Sequence, residues 1–377
     1  MVFMKRQLFL IYIIFIIFSG TTLPQVSSQK FLDGANITGI VGQGEYLWVS
    51  TYGGGIYRYS YENNEWKNYS TSTDNSIGNN FFYCIAASKN FVWGGGADGL
   101  YILDIKRNLW RKRKFGLGGE MGNWIRALAY DSTENILWIG RFENLTRLEV
   151  GKQKYTDRIL TQNRDTKTNN FKSIRFDGDS LVWFGTESGV FKYEKKMNID
   201  NPRAWLFINN KESGFKDEGD AVSISDMIFD RDEIWFGTDE FISMEHPKFN
   251  IGGIYIYDRK RNWLRLSVKD GLPGNGVYCL SRTGNSIWAG VYYFDKKEKK
   301  DYGKGLVIIN RLNTTITPVD LNELNIQSAK INTMFFDGSN MWLGTENGLC
   351  KVVIENPLAR WPEQKQIAKP ASKKRRR

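Results

Sequence analysis

One histidine and three cysteines are all that this chain of 377 residues offers to imidazole and thiol chemistry. A histidine-rich metal site is excluded by that count. A Ser-His-Asp or Cys-His arrangement would have to use His246, and nothing in the sequence pairs it with a nucleophile. Cys84, Cys279 and Cys350 are odd in number and build no disulfide framework. Beyond the first residues, no window approaches the ~20 apolar residues of a membrane-spanning helix. Phosphate-loop chemistry is missing too, because the glycine triplets Gly53–Gly55 and Gly94–Gly96 neither precede a helical pattern nor carry the loop lysine. No cofactor and no metal is therefore expected. Chemistry by paired carboxylates stays open, since acids are plentiful and their separations do not show in a sequence.

The two ends differ from the body. Lys5 and Arg6 precede an apolar run from Leu8 to Phe18, too short to span a bilayer and of the length of a secretory leader. Val26 and Ser28 suit the −3 and −1 positions of a cleavage site, so residues 1–28 are assigned as a signal peptide and Gln29 as the mature N-terminus. Retention of the leader as an anchor is the alternative. The expected location is the periplasm or beyond, with no transmembrane segment in the mature chain. Net charge is +11, but it falls to +4 once Lys5, Arg6 and the terminal Lys373–Arg377 are set aside. That is too weak a bias for a nucleic-acid-binding body, and no nucleic acid is expected as partner. Residues 362–377 read as a disordered basic tail.

What fills the body is a repeat. Aligning the chain on a W-x-G phrase gives seven tryptophans, Trp48, Trp93, Trp138, Trp183, Trp235, Trp288 and Trp342, spaced by 45, 45, 45, 52, 53 and 54 residues. In the fourth unit, Phe171–Phe176 alternates as a strand and Asp177-Gly178 supplies a hairpin turn. A second strand (Leu181–Thr186), a third beginning at Val190 and a fourth from Arg203 to Ile208 follow. The second strand is apolar on both faces, as sheets covered on both sides require. The spacing and content predict an all-β chain: a seven-bladed β-propeller of four antiparallel strands per blade over residues 29–361. A second aromatic position falls on the fourth strands, at Trp66, Trp110, Tyr155, Trp205, Trp263 and Trp361, with Ile316 in blade six. Most of the tryptophan is therefore assigned to packing; Trp124 alone falls outside both positions. The segment Lys30–Ala35 is a candidate for an added strand that closes the ring.

Several phrases resemble a known family. "DGLPGNGVYCL" (Asp270–Leu280) with "NSIWAG", "FDGSNMWLGTENGLCKV" and "LVWFGTESGVFKY" is similar to the two-component regulator propeller repeat. The resemblance runs over essentially the whole mature chain and is strongest in blades four to seven. It implies the propeller fold and, as in extracytoplasmic sensor modules of that family, carbohydrate binding.

Candidate site residues come from departures from the repeat. Blades five and six carry long insertions between strands two and three, Asp239–Gly252 and Val291–Gly305, and a long connection (Asn209–Asp220) enters blade five. These are expected to crowd one sector of one face, where function concentrates on loops a scaffold does not need. Phe241, Tyr292, Tyr293, Phe294 and Asp295 offer rings and an acid suited to a sugar, and His246 stands among them. Arg141 and Tyr52 break the phrase on the same face and are read as ligand contacts, while Glu187, Asp239 and Glu346 form a possible ring of acids. The reading is an exported, monomeric, non-catalytic module that binds a glycan or an exported protein. A polysaccharide lyase or hydrolase on the same scaffold and an assembly protein are the alternatives. Asn36, Asn68, Asn144 and Asn313 lie in N-x-S/T sequons.

Overall fold

A glycine two residues after the repeated tryptophan, present in six of the seven units, decides how closely consecutive sheets can approach. A methyl group on Gly185 would stand 2.8 Å from Ile224 of the next unit, and one on Gly344 would stand 2.6 Å from Ile37. The repeated phrase is therefore a packing requirement: the tryptophan fills the space between two sheets, and the glycine lets the following sheet come in. The second contact joins the last unit to the first, so the sheets form a closed ring.

The structure, a computed structural model, describes residues 27–354 except 117, 118, 120, 212 and 213. It contains seven four-stranded antiparallel sheets, each with its strands in sequential order except the last. The inner strands are Ile37–Gln43, Cys84–Ala87, Ile125–Asp131, Phe171–Asp177, Ile224–Phe229, Gly276–Thr283 and Ile331–Phe336. The chain is thus an all-β, seven-bladed propeller, as the spacing predicts. All seven W-x-G tryptophans are buried. In blades four and seven the Asp-Gly turn has a second use, because Asp177 and Asp337 accept the indole N–H of Trp183 (3.3 Å) and Trp342 (2.8 Å). The fourth strand of blade four is shorter than expected, since Pro202–Ala204 forms a 3₁₀ turn before Trp205–Ile208.

Blade seven corrects one expectation. Its fourth strand is not at Trp361, which lies outside the described residues together with most of the leader and the whole basic tail. The place is taken by Ser28–Phe31, paired antiparallel with Gly348–Val353. The closing strand thus comes from the N-terminus, begins two residues before Lys30, and ends at Phe31 because Leu32 turns into the left-handed region (φ 52°). Phe31 packs on Trp342 of its own blade (5.7 Å between centroids) and on Tyr59 and Trp66 of blade one (5.9 and 5.6 Å).

Polar groups also stitch the seams. Between blades three and four, Lys195 Nζ meets Asp131 Oδ2 at 2.6 Å with side chains 3% and 4% exposed. Asp131 Oδ1 accepts from the Thr133 backbone and hydroxyl. Burial drives the Asp131 carboxyl up, but the bonds from Lys195 and Thr133 prevail and hold it below the ordinary carboxylate value. Of the four sequon asparagines, Asn313 is exposed and Asn144 is buried.

All three cysteines are free. Burial pushes the Cys350 thiol up to about 11 and raises Cys84 and Cys279 as well. Thiolate, the reactive form, is scarce under those conditions. A chromogenic disulfide reagent at pH 8 is expected to leave the native protein untouched over the time in which the unfolded chain releases three equivalents. Rapid reaction of any thiol in the native state would contradict this placement.

Candidate functional site

Six of the seven inner strands carry a bulge after their first or second paired residue, and in blade two the regular ladder begins only at Cys84, just after Tyr83. A bulge re-aims one side chain, and here it does so at Thr38, Arg126, Lys172, Ser225, Tyr278 and Asn332, with Tyr83 at the equivalent place in blade two. Most of these side chains reach sideways to the next blade. Thr38 Oγ1 donates to Phe82 O (2.8 Å), Arg126 pairs with Glu187 (2.5 Å), and Asn332 Nδ2 donates to Ile37 O (3.0 Å). Lys172 forms an ion pair with Asp239, and Tyr83 packs on Trp124 at 5.4 Å. The result is a belt around the channel mouth. Sequence reasoning missed it, although five of the seven residues stand ten positions before their blade's tryptophan.

The belt opens into a cleft over blades four to six. The cavity, of about 450 Å³, is lined by Lys172, Glu187, Asp239, Glu240, Phe241, Phe249, Tyr278, Tyr292, Phe294 and Asp301 among others. The insertions build it as extended hairpins rather than irregular loops: Ile234–Phe241 pairs with Asn250–Tyr257, and Ser286–Asp295 with Lys300–Asn310. Strand alternation then sorts the side chains. Tyr292 and Phe294 face blade five and are buried, whereas Tyr293 is 40% exposed on the other face. Asp295 turns away as well and caps the hairpin tip, accepting from the backbone of Lys297 and Glu298.

Tyr292 is the keystone of the cleft. Its ring lies over Gly276, where a methyl group would stand 2.2 Å from it, and packs on Tyr278 at 4.4 Å. Its hydroxyl donates to Asp239 Oδ1 (3.2 Å) and accepts from the Glu240 backbone N–H (3.1 Å). Burial, then Asp239, raises its pKa far above the ordinary tyrosine value; burial and Asp301 do the same to Tyr278. Both hydroxyls stay protonated, so they serve as hydrogen-bond groups. Glu240 is buried and receives the Phe294 backbone N–H (2.9 Å) and Asn275 Nδ2 (3.1 Å). Burial lifts its pKa above the ordinary glutamate value against those bonds. Asp301 goes the other way, because hydrogen bonds from Lys330 and Tyr278 outweigh its burial. Phe241 is 46% exposed and packs on Phe294 at 4.8 Å, with Phe249 at 6.3 Å.

Of the residues singled out from the sequence, Phe241, Tyr292 and Phe294 line this cleft. His246 lines an adjoining pocket with Phe241, Phe249, Lys167 and Asp220; its backbone N–H bonds Ser243 Oγ. Arg141 sits elsewhere. It occupies the place of the phrase's threonine, is fully buried, and gives its guanidinium to Asp157 (2.9 Å) and Gly122 O (2.7 Å) over the Phe115 ring. The side chain that reaches the mouth is the next one, Phe142, because one step along a strand reverses the face. Tyr52 lies on the face but outside the cleft, beside Phe81 and Tyr83. The acids Glu187 and Asp239 each have a cationic partner of their own, and Glu346 accepts from Ser328 Oγ. Among the described residues, no three acid, thiol or imidazole side chains converge as a metal cage. The connection Asn209–Asp220 divides its work: Phe215 plugs blade five against Trp263 (4.5 Å), while the backbone of Asp220 binds Lys248 O.

No family model matches the chain, and no curated protein matches it. Solved structures do. The extracellular domain of BT4673 from B. thetaiotaomicron, assigned there as a one-component system, is 17% identical with a TM-score of 0.64 over 88% of this chain. The match takes up 40% of that domain, so this chain spans well under half of its length. Virginiamycin B lyase from Staphylococcus aureus superposes with a TM-score of 0.60 at 12% identity, covering 88% of this chain and 100% of the lyase. YCF48, solved with a D1 peptide bound, gives 0.60 at 11% identity, covering 89% and 98%. At these identities the likeness is one of fold, and the fold this chain shares with them is the β-propeller.

Proposed function

We propose that this propeller is an exported, non-catalytic binding module that acts as a monomer and holds a glycan in the cleft over blades four to six. The observation that carries the reading is the lining of that cleft: exposed Phe241, with Phe249 and Phe294 behind it, beside the carboxylates of Asp239, Glu240 and Asp301 and the ammonium of Lys172. Rings stack on the apolar faces of sugars, and fixed polar groups orient hydroxyls. Asp239, Glu187 and Asp301 are each paired with a cation of the protein, and Glu240 is held by neutral amide donors, which favours a neutral, hydroxyl-rich ligand over a polyion. Export rests on the apolar N-terminal run. Among the described residues no helix is long and apolar enough to cross a membrane. The likeness to the extracellular domain of BT4673 supports the same reading.

Thermal shift with a panel of neutral and acidic oligosaccharides at graded salt tests it. A saturable upward shift, insensitive to salt and to loss of Lys373–Arg377, is expected, since only a ligand that prefers the folded state stabilises it. Phe241→Ala is expected to weaken binding about two- to tenfold by removing one stacking ring. A shift that requires the tail and fades with salt would reduce the effect to polyanion attraction. No shift across the panel would turn the reading toward a protein ligand.

A further inference from the structure

The channel mouth is divided into two unlike arcs. Over blades four to seven it is polar and carries the ion pairs Lys172–Asp239 and Lys330–Asp301. Over blades one to three it is aromatic. Phe81 meets Tyr52 (5.0 Å), Tyr52 meets Tyr83 (5.5 Å), Tyr83 meets Trp124 (5.4 Å), and Trp124 stacks on Phe142 with planes 8° apart. Tyr52 and Phe81 are 45% and 49% exposed.

Two features make this arc more than surface variation. First, it is held rigidly. Tyr52 and Phe81 face each other across an isolated antiparallel bridge between blades one and two. Gly53 and Gly55 both donate to Asn80 O (2.9 and 3.0 Å), and the Phe142 N–H donates to Trp124 O (2.9 Å). Rings on fixed backbone bind with a reduced ordering cost. Second, it is joined to the cleft. Arg126 lies over Trp124 and Phe142 (5.5 and 5.6 Å), and its partner is Glu187, which lines the cleft. Arg126 is thus neutralised at the junction, and the shelf presents aromatic faces.

Resting on the cleft reading above, we infer that the shelf of Tyr52, Phe81, Tyr83, Trp124 and Phe142 is a second subsite, and that the ligand is an extended neutral chain of sugar rings running from the cleft across the channel mouth onto it. A short chain engages the cleft and leaves the shelf bare; a longer chain engages both, and its second contact is intramolecular.

The test is calorimetric titration of the full mature protein with neutral cello-, xylo- and manno-oligosaccharides of two to eight units. Trp124 fluorescence is followed in parallel, with Trp124→Phe as the spectroscopic control. Within the series that binds, affinity is expected to rise about tenfold or more between the shortest and longest members. The Tyr52→Ala/Phe81→Ala variant is expected to return the long chains to the affinity of the short ones while leaving short-chain binding unchanged. The Trp124 signal should respond to long chains only. Binding that does not depend on length and is untouched in the double variant overturns the shelf and leaves the cleft reading standing. Failure of every series to bind overturns the cleft reading, and the shelf with it.

Discussion

A chain that begins at Leu32 is expected to lose at least about 3 kcal/mol of stability and the sharpness of its unfolding transition. The estimate starts from Phe31, whose ring touches Trp342, Tyr59 and Trp66. Truncating a buried phenylalanine costs ~3–5 kcal/mol, and Phe31 is half-buried, which sets the lower end for the side chain alone. Deletion also strips the ladder from Gly348–Val353 and leaves blade seven with an open edge. Urea unfolding followed by tryptophan fluorescence reads both effects. A synthetic peptide of residues 27–34 should restore the midpoint in a saturable manner, because the missing strand is a separable piece. An unchanged midpoint in the shortened chain would mean that the ring does not depend on this strand.

Lys195→Met should destabilise by about 3–5 kcal/mol, the cost of leaving one member of a buried ion pair uncompensated. Asp131 is then buried with only Thr133 to satisfy it. Replacing both partners, as Lys195→Met with Asp131→Leu, is expected to recover most of the loss, since an apolar pair carries no desolvation penalty. The pH dependence has a definite sign. The folded pKa of Asp131 is depressed, so the pair's contribution is present above the ordinary aspartate value of about 3.9 and is lost as pH falls through the lower folded value. The gap between wild type and Lys195→Met should therefore narrow below about pH 4. Denaturant melts of the four chains at pH 7 and pH 3.5 measure it. A double variant as unstable as the single one would show that packing, not charge, sets the cost.

The propeller was legible because its signal is a steric need repeated once per blade. The residue two after the tryptophan has to be small wherever the next sheet arrives, and six of the seven units place glycine there; blade one uses Ser50, whose hydroxyl lies 3.0 Å from that of Thr38. The closing strand was less legible because its partner is at the far end of the chain, and extending the period forward pointed to Trp361 instead. In the site, unusual length correctly drew attention to Phe241, Tyr292 and Phe294. The face of each side chain depended on strand register, which separates Tyr292 from Tyr293 and Arg141 from Phe142. Loops carry no such alternation, so reading the insertions as loops hid it. The bulged residues escaped because a bulge is an arrangement of two strands and leaves no residue type as its mark.

The N-terminal closing strand also sets a timetable. Phe31 finds its partner in Leu349, 318 positions later. At synthesis rates of about 5–20 residues per second, the first strand waits roughly a quarter of a minute to a minute for the residues that will receive it. Until blade seven is made, blades one and six each lack a neighbour, because both pack against it in the finished ring. The apolar faces left open in that interval are buried only when the ring closes.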